Sequence, residues 1–187
     1  MMKRTVLEHI TIVTAVLLIT ALPASAQRTI SGQPALGLSA RYNGSSVGAE
    51  AFFSQYTLSG FWDAGLTGDH YTVPVSTGLM LDYAHVAARG GYAFRIVGTR
   101  NRCLSFYGGG GIFAGVEWLD PAKSIPSYID LGMPSVQFLY GIYARVMLEV
   151  FLGTRVALTF SGSVPVNFSS KISMLHYGGE FGLKIML

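Results

Sequence analysis

From residue 79 to the end of the chain, large apolar side chains fall on alternate positions and nearly every charged one falls on the other set. The stretch Leu104, Phe106, Gly108, Gly110, Ile112, Ala114, Val116, Trp118 keeps one parity apolar, while Ser105, Tyr107 and Glu117 occupy the opposite one. A period of two means β-strand, with one greasy face and one face able to hold charge. The same alternation suits a soluble sandwich, so what precedes it must identify the solvent.

The chain begins Met1-Met2-Lys3-Arg4 and continues, after Glu8 and His9, with the apolar run Ile10 to Leu22 and then Pro23-Ala24-Ser25-Ala26-Gln27. A basic start, a short apolar run and a small-x-small site predict a secretory signal peptide over 1–26, cleaved after Ala26. The apolar run of about 13 residues is short of the roughly 20 a spanning helix needs. No cysteine stands near the cleavage site, which leaves lipid anchoring there without an attachment point. The expected mature domain is 27–187, exported from the cytoplasm.

Hydrophobic residues make up 50% of the chain and charged ones only 12%, against about 25% charged in an ordinary soluble domain. Mean hydropathy is +0.43. Beyond the signal, however, no uninterrupted apolar run is long enough to span a bilayer as a helix. A closed β-barrel is the other backbone arrangement that satisfies every hydrogen bond inside lipid. The formal charge of +3 gives no reason to expect polyanion binding, and the single Cys103 excludes an internal disulfide. No metal, cofactor or small-molecule substrate is expected.

Turn signals divide the mature chain into eight strands, predicted at 34–43, 46–56, 58–68, 79–97, 102–118, 135–152, 154–167 and 174–187. Eight is the smallest number common in outer-membrane barrels. The connections after the second, fourth and sixth strands are tight. Those after the third, fifth and seventh are longer: Asp69 to Gly78, Leu119 to Pro134, and Phe168 to Ser173. Only the short Asn43–Ser46 connection weakens the contrast. Short turns at one end and longer loops at the other fit an antiparallel up-and-down barrel inserted into the outer membrane of a Gram-negative bacterium from the periplasm.

If one parity lines the interior, the inward set is Arg41, Glu50, Asp63, His85, Arg89, Arg95, Glu117, Arg145, Glu149, Arg155, Glu180 and Lys184. Six cations and five anions, besides His85, then form a lumen charge network. A barrel of eight strands is just wide enough for its own side chains to fill, so paired charges predict a plugged lumen and no open pore. The outward parity, including Ile112, Val116, Val136, Phe138, Ile142, Val146, Val150, Phe160 and Val164, carries almost no charge. Asp82 is the exception, and its place at the start of the fourth strand puts it near the interface. Trp62, Trp118, Tyr42, Tyr56, Tyr140 and Tyr177 lie near strand ends, where aromatic girdles belong. The segment Glu180 to Leu187 resembles the terminal strand signal read by the outer-membrane assembly machinery, with Leu187 where that signal usually has an aromatic residue.

The chain is identified as resembling the TraO conjugal transfer proteins of Bacteroidetes conjugative transposons. The resemblance is carried by Leu81-Asp82-Tyr83-Ala84-His85-Val86 with Gly90-Gly91-Tyr92, by the turn Gly98-Thr99-Arg100-Asn101-Arg102, and by Tyr107-Gly108-Gly109-Gly110 leading to Gly115-Val116-Glu117. Phe138-Leu139-Tyr140-Gly141 and Ser163-Val164-Pro165-Val166-Asn167-Phe168 continue it. It implies an outer-envelope component of a DNA transfer apparatus, with other conjugation proteins and outer-membrane lipid as partners and no catalytic residues. The runner-up is a general small outer-membrane barrel with a stabilising or adhesive role unrelated to conjugation.

A third reading, a lipid-modifying enzyme, would need a nucleophile, a base and an orienting acid at one membrane face. His85 shares its face with arginines, and the serines near His176 read as a polar loop. Gly108 to Gly111 lacks the Lys and Ser/Thr of a phosphate loop and lies inside an alternating strand. Basic residues are scattered, so direct nucleic-acid contact is not expected. The loop 119–134 is apolar for a water-exposed segment, and its Pro121, Ile125, Pro126, Tyr128, Ile129 and Leu131 are the expected partner-binding residues.

Overall fold

A computed structural model describes residues 31–76, 79–99, 103–119, 136–169 and 177–187. Alternating sequence becomes eight antiparallel strands: β1 Pro34–Tyr42, β2 Ser46–Tyr56, β3 Gly60–Ser76, β4 Leu79–Gly98, β5 Leu104–Leu119, β6 Val136–Phe151, β7 Val156–Asn167 and β8 Gly178–Met186. Each strand pairs with its sequence neighbour, and β8 returns to β1, with Ala35 opposite Met186 and Tyr42 opposite Gly179, closing the barrel. Closure removes the sheet edges that lipid could not hydrogen-bond. The all-β, eight-stranded expectation holds. The expected signal peptide at 1–26 lies outside the described residues.

The rim that carries Pro34 and Met186 is flush. Tyr56 N donates to Gln33 O, Arg95 N to Ser59 O, Phe151 N to Cys103 O, Met186 N to Arg155 O and Leu187 N to Pro34 O, so neighbouring strands start level all the way round. At the opposite rim, Ser45 N donates to Asn43 Oδ1 at 3.0 Å, a side-chain-capped turn in which Gly44 takes φ +84°, a conformation glycine adopts without steric cost.

One expected loop is corrected. Asp69 to Ser76, read as part of a connection reaching Gly78, continues β3 in register, with Asp69 opposite His85 and Tyr71 opposite Tyr83. Gly68, Asp69 and His70 have turn-like composition, but the ladder keeps the period of two through them. The β3–β4 hairpin therefore rises beyond β2, whose pairing to β3 ends with Ser46 opposite Tyr71.

Sharp curvature explains the glycine run of β5. A Cβ at Gly109 would stand 2.1 Å from Tyr92 O, and one at Gly111 2.1 Å from Gly90 O. The β4–β5 wall bends too tightly there to admit a side chain on the inner parity.

Candidate functional site: the charged lumen

Parity along each strand fixes what fills the barrel. At the flush end, Tyr56, Phe61, Tyr107, Met147, Phe151 and Met186 form a buried apolar floor with Ala35, Ala93 and Ala157. Above the floor lies Lys184, fully buried and ion-paired with Glu149. The Lys184 ammonium stands 4.1 Å from the Phe61 ring centre and 5.1 Å from that of Tyr56, within cation–π range. The Tyr56 hydroxyl donates to both Glu149 oxygens, at 2.9 and 3.0 Å, so the carboxylate is held from two sides.

Further from the floor, Arg145 pairs with Asp63, and Arg89 pairs with Glu50. Arg89 also reaches Glu180 at 3.3 Å, and Arg41 approaches the same carboxylate at 3.2 Å. Ser161 and Ser163 donate to the two Glu180 oxygens at 2.8 and 3.0 Å. Glu180 is thus a hub fed by β1, β4 and β7. Towards the open rim, Asp69 accepts Arg41 at 2.7 Å and stands 2.9 Å from His85 Nε2. Tyr71 and Tyr83 stack above them, ring centres 4.7 Å apart and nearly parallel. Isolated charges at this burial would be prohibitive, and the pairing with added hydrogen bonds is what makes them tolerable.

Of the expected lumen set, Arg41, Glu50, Asp63, His85, Arg89, Arg145, Glu149, Glu180 and Lys184 stand in these pairs. Glu117 is buried, opposite His85 on one ladder and Gln137 on the other. Arg95 is only half-buried, beside the register shift at Arg95/Val97. Arg155 is a correction: it is exposed in the turn before β7, its carbonyl engaged by Met186 N, because the strand starts one residue after it. Tyr56 is a second correction. It points inward, 1% exposed, because it shares the parity of Glu50, Phe52 and Ser54, and only its place near a strand end suggested the girdle. Asp69 was missed as a lumen residue. The signal was its parity with Asp63 and Thr67, masked by the neighbouring glycine and histidine.

An interior cavity of about 30 Å³, lined by Arg41, His85, Arg89, Tyr143 and Asn167 among others, is on the scale of single water molecules rather than of a channel. Two arginines flank the Tyr143 ring, with guanidinium carbons 5.4 and 5.9 Å from its centre.

The outer face is the inverse. Leu38, Leu66, Phe94, Ile112, Phe138, Val146, Phe160 and Phe181 are each exposed by more than two-fifths. Val150, on the same parity, is buried where Leu104 and Leu158 flank it in the ladders. Trp62, Trp118, Tyr42, Tyr140 and Tyr177 face outward near the strand ends. Asp82, the outer-face acid, accepts Thr72 Oγ1 at 2.7 Å, directly across the ladder. The expected partner loop, with Pro121, Ile125, Pro126, Tyr128, Ile129 and Leu131, lies outside the described residues.

Comparison with known proteins adds an independent line. The family described as conjugative transposon protein TraO matches residues 71–187. No curated protein matches the sequence. Among solved structures, the attachment invasion locus protein Ail of Yersinia pestis aligns with a TM-score of 0.50 at 12% identity, over 84% of this chain and 100% of Ail. Neisserial surface protein A aligns at 0.49 and 10% identity, covering 82% of this chain and 94% of its own. The N-terminal β-barrel domain of Pseudomonas aeruginosa OprF aligns at 0.48 and 9%, covering 84% and 98%. At its level of identity the Ail likeness speaks to fold alone, and it agrees with the closed barrel.

Proposed function

The chain belongs to the TraO family of conjugative transposon proteins, and from that premise we propose that it is a non-enzymatic outer-membrane barrel serving as a structural part of a conjugative DNA transfer apparatus. It reaches the outer membrane after cleavage of residues 1–26. The observation that carries this reading is the division of the two faces: charges cross-linked inside, and outside an apolar surface on which Asp82, near the rim, is the exception. That surface fits lipid, and the filled interior supports a scaffold rather than a conduit. His85 lies within the lumen between Asp69 and Tyr71, its ring centre 5.2 Å from that of Tyr71, as one member of the interior charge network.

In this reading the barrel holds its place in the membrane and binds other transfer proteins through the loop containing Pro121, Ile125, Pro126, Tyr128, Ile129 and Leu131. Deleting residues 121–132 tests it. The variant should remain membrane-inserted and heat-modifiable on gels, since the strands are untouched, while DNA transfer is lost. Normal transfer by that variant would remove the loop from the mechanism.

A further inference from the structure

A hollow of about 700 Å³ lies on the outside of the barrel, running from β8 across β1, β2 and β3 to β4. Its volume is that of an ordinary ligand pocket, roughly 300–1,000 Å³. The hollow follows from residue size along the ladders. Ala51 faces Leu38 on one side and Leu66 on the other, Ala64 faces Phe53, and Ala88 faces Leu66. All three alanines have outward parity and are exposed, so each leaves a gap beside a large neighbour. On β5 and β6 the same parity sets Ile112 against Ile142 and Val116 against Phe138, large against large. Alanine is a poor strand former, which gives three of them here a cost that propensity does not repay.

Depth identifies what fills the hollow. On β3 its residues Ala64 and Leu66 lie between the outward Trp62 near the flush rim and the outward His70 towards the other, and on β1 Leu36 and Leu38 lie below Tyr42. That interval falls within the apolar band of about 25 Å that an outer-membrane barrel presents to lipid. Inside a bilayer, apolar area alone gives a protein partner no advantage, because lipid tails are as apolar as leucine. Polar side chains would have to select such a partner. Among the described residues bordering the hollow the charged one is Arg89, and its guanidinium turns inward to Glu50 and Glu180. The outward side chains, from Leu36 to Ile185, carry neither donor nor acceptor. A flexible hydrocarbon chain follows such an uneven floor, whereas the rigid convex wall of a second barrel does not.

We infer that this hollow seats one acyl chain of an outer-membrane lipid and holds it longer than the rest of the lipid-facing wall does. The inference rests on the outer-membrane part of the reading above and is independent of the conjugative role.

Native mass spectrometry of barrels released from nanodiscs of palmitoyl-oleoyl phosphatidylethanolamine tests it. The parent should keep a bound lipid, as should Val146→Phe, which enlarges a half-exposed residue on β6, away from the hollow. Ala51→Phe and Ala64→Phe, each filling the hollow, should lose the lipid while remaining heat-modifiable. Ala88→Leu, a milder filling, takes their place where a phenylalanine prevents folding. A parent that emerges bare, or a folded filled variant that keeps lipid as the parent does, overturns the seat. So does a second barrel retained in place of lipid and lost in the same variants, which would assign the hollow to another copy of the chain. A parent that does not enter the nanodisc at all defeats the outer-membrane reading, and the seat with it.

Discussion

Arg89 on β4 and Glu180 on β8 meet at 3.3 Å across the full width of the barrel, four strands apart whichever way round the sheet is counted. Tyr56 on β2 and Glu149 on β6 make a second diametric link at 2.9 Å, nearer the apolar floor. Such cross-braces close the lumen and also resist flattening of the barrel, which neighbouring-strand hydrogen bonds alone do not.

Arg89→Met tests the first brace. It leaves Glu50 without its guanidinium partner, and Glu180 with Arg41 and the hydroxyls of Ser161 and Ser163. Removing one member of a buried pair costs about 3–5 kcal/mol, so the urea midpoint of the protein refolded into vesicles should fall clearly. A midpoint equal to that of the parent would mean the interior is hydrated enough to solvate Glu50.

Asp63 and Arg145 offer a cleaner energetic test because they pair one to one across β3 and β6. Each single reversal, Asp63→Arg or Arg145→Asp, should destabilise. The double reversal should recover part of the loss, with a coupling of roughly 0.5–3 kcal/mol in a double-mutant cycle. Additive losses would show that the pair does not act as one.

Most of the fold was legible because a period of two survives every local irregularity. One face filled with charge and one left bare is readable without coordinates. Legibility failed where local composition outweighed parity. Gly68-Asp69-His70 looks like a turn, so β3 was read eight residues short and Asp69 was not placed beside Arg41 and His85. Arg155 carries inward parity only if β7 begins before Val156, and the Gly153–Thr154 turn defers it. Tyr56 was assigned by position along the strand when its parity already placed it inside. Asp69–His85 and Arg41–Glu180 face each other on neighbouring strands, but Arg89–Glu50, Lys184–Glu149, Arg145–Asp63 and Arg89–Glu180 join strands two to four apart, and those pairings depend on how the ring closes.

Glycine positions separate curvature from chance. Gly111→Val drives a side chain into Gly90 O, whereas at Gly68 the nearest atom to a new Cβ is Val86 Cγ2 at 3.8 Å. Gly111→Val should fail to give the heat-modifiable form, and Gly68→Ala should fold like the parent. Folding of Gly111→Val with parental stability would show that the β4–β5 wall is less sharply bent.

A charge on the outer face should be costly in proportion to depth. Val146, half exposed on the middle of β6, replaced by Arg should lose about 2–4 kcal/mol of stability in vesicles. His70→Arg, on the outer face beside the polar Thr72 and Asp82, should lose little. Equal effects at the two positions would deny a lipid band between them.

Brominated-lipid quenching of tryptophan fluorescence bears most directly on which face lipid touches. In a background of Trp62→Phe and Trp118→Phe, one tryptophan is placed at Phe160, 44% exposed on the outer face of β7, or at Phe52, 5% exposed on the inner face of β2. Strong quenching of Phe160→Trp with little at Phe52→Trp is the expected result, and absence of quenching at Phe160→Trp, or quenching at Phe52→Trp alone, would contradict a lipid-facing, internally charged barrel.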